Sequence, residues 1–387
     1  QNFVIEIMSF FAYDLSLVDR LKHPQPSMMG TEVYAPITDR EKTTDDFLQT
    51  YQEWGYTGNE EMDSHFVYHE GTVRIKKKNG TRVSIFYRYM EHEHPIGAVF
   101  YVHGVKVGTH LSGPLAHSLL QAGYSVYSFD QEGHGKSQGA HALRLTSAQE
   151  LVDNATDMFD QMILRGDDFV NGHLATNDAK FRHRKPIASL PVFLLGSSMG
   201  GATVIKMILD KKTVRERLSG LILYAPMIRI FNEPGYLKFS CLSFLSHYFP
   251  ELEVTKDESH STRVPFQYKL RHNHPHTYHK GMSAVTALTL IEFAREIQSR
   301  LPELAKRTPH LPLLLLHGTN DVVTDIKGSQ DFFAAYPHPD KQFLILNKAL
   351  HAIHRDYSAY DVFQETFYWM NNQISGQKNK KAGIQYI

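Results

Sequence analysis

The most constraining feature of this 387-residue chain is the stretch Leu190-Pro-Val-Phe-Leu-Leu-Gly-Ser-Ser-Met-Gly-Gly-Ala-Thr-Val204. Pro191 to Leu195 is an apolar run with the length of a buried strand. It enters Gly196-Ser197-Ser198-Met199-Gly200, which fits G-x-S-x-G, and Ala202 to Leu209 follows with the apolar face of a helix. Strand, tight turn and helix are the context in which this motif makes a nucleophile elbow. Such a turn strains the backbone of Ser198, and side chains at Gly196 and Gly200 would collide with the strand or the helix. It presents the Ser198 Oγ at a helix N-terminus, where the macrodipole favours developing negative charge. With Gly and Ser each near ~7% of residues, a chain this long contains the bare pattern by accident about one time in eight. The flanking elements and partner residues therefore have to decide.

The flanks read as alternating strands and helices. His65–Ile75 and Thr81–Met90 form a hairpin signalled by Asn79-Gly80, where the Asn79-Gly-Thr81 sequon is read as a turn. Strands follow at 97–102, 124–129, 191–195, 218–224, 312–317 and 342–346, with helices at 114–122, 147–165 and 357–374. Short apolar strands alternating with helices predict an α/β protein with a mostly parallel sheet covered on both faces. The long interruption, 227–306, falls between two core strands and belongs over the sheet's C-terminal edge, where open α/β sheets bind ligands. Its Phe239, Leu242, Phe244, Leu245, Tyr248 and Phe249 read either as a lid turning apolar surface to the site or as the lid's own small core. The expected organisation is an N-terminal extension (1–62), a core (63–226 and 307–375) split by the lid (227–306), and a polar tail (376–387).

A serine hydroxyl needs a base, and the base needs an acid to fix its tautomer. In this architecture they follow in chain order Ser, Asp, His at the C-terminal ends of strands. After the strand ending at His317 comes Gly318-Thr-Asn-Asp321, with Asp325 as a rival that looks like the start of a helix. After Leu346 comes Asn347-Lys-Ala-Leu-His351-Ala-Ile-His354, with His354 as the rival. Ser198, Asp321 and His351 each follow a separately expected strand in the required order. The oxyanion calls for two backbone N–H donors, Met199 after the nucleophile and Val105 in the loop after the first parallel strand, His103-Gly104-Val105. His103 is read as a ring packed under that loop and hydrogen-bonded to its backbone.

These residues resemble the monoacylglycerol lipase and lysophospholipase group of the α/β-hydrolase superfamily, which overlaps with the "serine aminopeptidase" hydrolases. The resemblance is carried by His103-Gly104, Phe129-Asp-Gln-Glu-Gly-His-Gly-Lys-Ser137, Gly196-Ser-Ser-Met-Gly-Gly201, His317-Gly-Thr-Asn-Asp321 and Leu350-His-Ala-Ile-His354, across about residues 65–375. It implies the α/β-hydrolase fold with an inserted lid, Ser198 as nucleophile, Asp321 as orienting acid, His351 as base, and Val105 and Met199 at the oxyanion. It implies a lipid ester with a single acyl chain as substrate. No cofactor is expected, and the lid is expected to make transient contact with a membrane surface. The chain departs from the family after His103-Gly104, where another glycine and an acidic residue usually follow and Val105-Lys-Val-Gly-Thr-His110 stands here.

Composition removes other classes. Lys plus Arg and Asp plus Glu are 41 each, so no charge excess points to nucleic acid. Cys241 is the single cysteine, so no intrachain disulfide exists, which favours a cytoplasmic setting, peripheral to a membrane if the lid docks there. Phe3–Ala12 is apolar but lacks the basic start and small-residue exit of a signal peptide, and the start at Gln1 leaves open a segment ahead of it. Gly133-His-Gly-Lys-Ser137 would need a glycine at Asp130 to be a phosphate loop. His272-Asn-His-Pro-His-Thr-Tyr-His279 lacks the companions of a zinc site, so no metal is expected. Two alternatives stay beside the esterase: a serine peptidase or amidase of the same fold, and a non-catalytic binding module.

Overall fold

Strands of five or six apolar residues leave no polar face for water, so they must be covered on both sides. In the computed structural model, which describes residues 32–35, 66–140, 142–171, 185–255 and 261–376, this is how they are used. The strands are β1 (Glu32–Ala35), β2 (Phe66–Lys76), β3 (Arg82–His92), β4 (Gly97–Val102), β5 (Tyr124–Phe129), β6 (Val192–Ser197), β7 (Gly220–Tyr224), β8 (Leu313–Gly318) and β9 (Lys341–Leu346). They form one sheet in the order β1-β9-β8-β7-β6-β4-β5-β3-β2. The ladders from β1 to β5 are parallel. The β2–β3 and β3–β5 ladders are antiparallel, so the leading hairpin closes one edge. This is the α/β-hydrolase fold.

Alternation along β6 shows how the two cores are divided. Val192 and Leu194 face one layer, with Ile205 and Met207 of the helix Met199–Asp210 and Phe159 of the helix Ala148–Phe159. Phe193 and Leu195 face the other, with Trp369 and Phe363 of the closing helix Ala359–Ser375. The helix expected over 147–165 is α-helical to Phe159 and then widens into a π turn, Asp160–Leu164.

Glu32–Ala35, inside the stretch read as an extension, adds an edge strand beside β9. The apolar run 3–12 and the tail beyond residue 376 lie outside the described residues. No helix among the described residues is long and apolar enough to cross a membrane.

Between β7 and β8 the chain builds the helices Tyr236–Tyr248, Pro265–Asn273 and Ala284–Ser299. The first and last of these share a small core of Leu242, Leu245, Val254, Ala284, Ala287 and Ile291. The reading of these side chains as the insertion's own small core is met in part. Leu242 and Leu245 are core, whereas Leu237 (79%), Phe244 (55%) and Tyr248 (62%) are exposed. The long helix Ala284–Ser299 is tied to the helix after the elbow by Lys206 with Glu296, and Arg300 continues the network to Asp210 at 2.8 Å.

Candidate active site

The elbow is built from close approaches. Ser198 sits at φ 54°, ψ −121°, a region that L-residues rarely occupy. A Cβ on Gly196 would lie 2.6 Å from the Gly200 carbonyl oxygen, and one on Gly200 would lie 2.0 Å from that of Val102. The strained turn is held from both sides. The Ser198 N–H donates to the Tyr224 carbonyl at 3.0 Å, and the Ser198 carbonyl accepts from Met227 N–H at 2.9 Å.

His351 reaches this turn from the loop after β9. Its Nε2 lies 2.9 Å from Ser198 Oγ, and its Nδ1 lies 2.7 Å from Asp321 Oδ2. A carboxylate only accepts, so Nδ1 carries the proton and donates to Asp321. Nε2 is then left to accept from the serine hydroxyl. Asp321 is fully held. Its Oδ1 accepts from the backbone N–H groups of Val323 (2.8 Å) and Thr324 (2.9 Å), and its Oδ2 accepts from the Thr324 hydroxyl at 2.8 Å. Burial alone would raise its pKa, but the charge and hydrogen bonds of His351 and His317 outweigh it and hold the carboxyl far below the usual range.

The rivals fall elsewhere. Asp325 caps the helix Ile326–Ala335 by accepting from Lys327 N–H at 2.9 Å, and it pairs with Arg229. His354 is buried with its ring 5.8 Å from that of Tyr224, and burial drives its pKa well down. Two supporting groups were missed in the sequence. Thr324 braces both Asp321 and His351, its hydroxyl 3.3 Å from Nδ1. His317, at the end of β8, places Nε2 3.2 Å from Asp321 Oδ2 and Nδ1 2.8 Å from Ser329 Oγ. The available signal was a buried histidine closing an all-apolar strand.

The loop after β4 lies directly against the serine. A Cβ on Gly104 would stand 3.1 Å from the Ser198 Cβ and 3.6 Å from its Oγ. His103 lies beneath this loop, fully buried. Its Nε2 accepts from Gln131 N–H at 2.9 Å, so Nδ1 donates to the Gly104 carbonyl at 2.7 Å. Burial lowers its pKa and keeps it neutral. Val105 is half-buried beyond it, and Met199 is the first residue of the elbow helix, where a backbone N–H has no partner within the helix.

Gly133-His-Gly-Lys-Ser137 belongs to the same scaffold. Asp130 Oδ1 accepts from Thr109 N–H at 2.6 Å and its Oδ2 from Lys136 N–H at 2.8 Å, while Ser137 Oγ donates to the Asp130 carbonyl at 2.6 Å. The histidine-rich stretch 272–279 meets this loop from the insertion. His274 stacks on His110 at 4.0 Å, His110 Nε2 lies 3.0 Å from Thr277 Oγ1, and Tyr278 N–H donates to the Lys106 carbonyl at 3.3 Å. No group of three or more His, Cys, Asp or Glu among the described residues is arranged to hold a metal ion.

The family described as "Serine aminopeptidase, S33" matches residues 93–358, well over half of the chain. Rat monoglyceride lipase is 26% identical over 285 residues, covering 73% of this chain and 84% of that protein. Among solved structures, a soluble variant of monoglyceride lipase from Saccharomyces cerevisiae in complex with a substrate analog superposes with a TM-score of 0.64. It is 17% identical over 79% of this chain and 95% of its own. The monoacylglycerol lipase of Paleococcus ferrophilus gives 0.57, at 23% identity over 75% of this chain and 98% of its own.

Proposed function

The chain belongs to the serine aminopeptidase S33 family of α/β hydrolases, and from that premise we propose that it is a serine hydrolase of lipid esters with one acyl chain, a monoacylglycerol or lysophospholipid. The observation that carries the reading is the continuous hydrogen-bonded line from Ser198 Oγ through the His351 ring to Asp321. Ser198 attacks the ester carbonyl while its proton passes to His351 Nε2. Asp321 stabilises the imidazolium and fixes the tautomer. Met199 N–H and Val105 N–H receive the charge that develops on the carbonyl oxygen. The intermediate collapses as His351 returns the proton to the leaving alcohol, and the acyl group stays on Ser198. Water, deprotonated by the same Nε2, then releases the fatty acid.

A lipid substrate is supported by the monoglyceride lipases among the relatives and by the insertion itself. Leu237, Phe244 and Tyr248 recur at spacings of seven and four residues, one face of a helix, and all three face solvent. Such an exposed apolar stripe suits transient contact with the lipid surface that holds the substrate.

The test is hydrolysis of monoacylglycerol in vesicles and of a soluble p-nitrophenyl butyrate by the parent chain, Ser198→Ala and Leu237→Ser/Phe244→Ser. Loss of both activities in Ser198→Ala, and loss of the vesicle activity alone in the double variant, is expected. Full activity of Ser198→Ala overturns the nucleophile. A parent chain that cleaves aminoacyl amides and ignores both esters overturns the ester in favour of the peptidase. A chain inert to all of these and to a serine-reactive phosphonate is a binding module.

A further inference from the structure

Proton transfer to and from Ser198 needs the His351 ring held to within a fraction of an ångström. Its own loop, Leu350-His-Ala-Ile-His-Arg-Asp356, supplies only a single 3-10 turn, Ile353–Arg355. What braces the loop is Asp356, which is completely buried. Its Oδ2 accepts at 3.0 Å from the N–H of Leu350, the residue before His351, so one carboxylate spans the loop from end to end.

That carboxylate is gripped from outside the core. Arg263, in the insertion, donates its backbone N–H to Asp356 Oδ1 at 2.9 Å. Its Nε lies 3.1 Å from Oδ1 and 3.0 Å from Oδ2, and its Nη2 lies 3.0 Å from Oδ2. The neighbouring residues repeat the attachment. Ala352 N–H donates to the Ser261 carbonyl at 2.7 Å, and the Thr262 hydroxyl donates to the Arg355 carbonyl at 2.7 Å. Three consecutive residues of the insertion therefore hold the loop on either side of its 3-10 turn. A surface arginine would have little influence here, but a buried carboxylate deprived of its cation must find another partner or move.

We propose that Arg263 is a positioning residue for His351, acting through Asp356, and that the insertion thereby sets the alignment of the base. The proposal rests on the reading of His351 as the base. It makes turnover depend on the contact between residues 261–263 and the histidine loop. A displacement of that segment detunes proton transfer even where substrate still binds.

The experiment compares Arg263→Gln and Arg263→Lys with the parent chain on soluble p-nitrophenyl butyrate, with Ser198→Ala alongside. It also records the low-field proton resonance of His351 Nδ1–H, assigned by its loss in His351→Gln. Misplacement of a base by about 1 Å costs up to ~100-fold, so Arg263→Gln is expected to lower kcat by about 10- to 100-fold with KM changed less than about threefold. The resonance should shift or broaden, and Arg263→Lys, which keeps the charge without the Nε–H shared by both carboxylate oxygens, should recover part of both effects. A kcat within about twofold of the parent together with an unchanged resonance overturns the proposal. If Arg263→Gln does not fold, Arg263→Lys alone decides by the same two readouts. If Ser198→Ala keeps its activity, the nucleophile reading fails, while the resonance still reports whether Arg263 positions the ring.

Discussion

Replacing Asp321 by asparagine should disable the base without disturbing the fold, and the structure says why. Two backbone N–H groups, from Val323 and Thr324, point at Oδ1. An amide placed there must present its carbonyl oxygen to them. Flipping it would set two buried donors against an NH2 group, at about 1–3 kcal/mol for each bond left unmade. The NH2 group is thereby forced to the position of Oδ2, 2.7 Å from His351 Nδ1. It can only donate, and the Thr324 hydroxyl can rotate to accept its second hydrogen. His351 then has to accept at Nδ1, which moves its own proton to Nε2, and Nε2 now points a donor at Ser198 where a base is needed. Losses from a wrong tautomer in a serine triad run to about 10^3–10^4 in kcat, or about 4–5.5 kcal/mol of barrier. The assay is steady-state hydrolysis of p-nitrophenyl butyrate together with the single-turnover rate of phosphonate labelling, which reads the nucleophilicity of Ser198 directly. Both rates should fall in parallel while the circular dichroism spectrum stays unchanged. A folded Asp321→Asn that keeps more than about a tenth of the parent kcat would refute the assignment.

Two further outcomes follow from the buried groups. Burial holds His103, His110, His134, His274 and His354 below the ordinary imidazole pKa, His134 at about 3 and His274 at about 4. The unfolded chain therefore binds more protons than the native one below about pH 6.5, so stability is full above that pH and drains away as pH falls toward 4. Asp321, whose carboxyl is depressed, adds its loss only below about pH 4. Thermal unfolding at pH 7, 6, 5 and 4 should show a falling Tm across this range, and a flat profile down to pH 4 would contradict it. Gly200→Ala should abolish soluble folded protein, because its Cβ meets the Val102 carbonyl at 2.0 Å. Gly80→Ala, with open space around a left-handed turn, should cost only about 1–2 kcal/mol. Expression and melting of the two side by side check this.

Much of the sheet was readable because its strands announce themselves locally. Gly97–Val102 is an unbroken apolar and aromatic run and Tyr124–Phe129 is an aromatic and apolar run broken only by Ser125 and Ser128, and the structure begins and ends both at the same positions. The candidates Ser198, Asp321 and His351 were legible for a related reason: each follows a strand by a few residues, and strand ends in this architecture converge. What escaped is what depends on partners far away in sequence. β3 pairs with β5, not with its neighbour β4, and β4 lies between β5 and β6. No local pattern encodes that crossing. Thr324 looked like any loop threonine, since its work lies in hydroxyl contacts with Asp321 and with His351, 27 residues on. Arg263 and Asp356 are 93 residues apart, and neither sits in a motif. Glu32–Ala35 carries one charged residue followed by Val33, Tyr34 and Ala35, too short a pattern to separate from a loop.

Asp130 has a consequence for how freely the neighbouring sequence can change. The loop from His103 to Leu111 is shaped largely from outside, by a carboxylate at the end of β5 that fastens Thr109 on one side and Lys136 on the other. Gly108 is pinned by the same group, since a Cβ there would come within 2.6 Å of Asp130 Oδ1. Lys106 adopts φ 64° without being glycine, and its carbonyl accepts from Tyr278 N–H. The wording of this loop can therefore drift while its curve persists, because the template for the curve is stored on another strand. The departure of Val105-Lys-Val from the usual family pattern is the kind of change this arrangement permits. An Asp130 variant, by contrast, would release two loops at once.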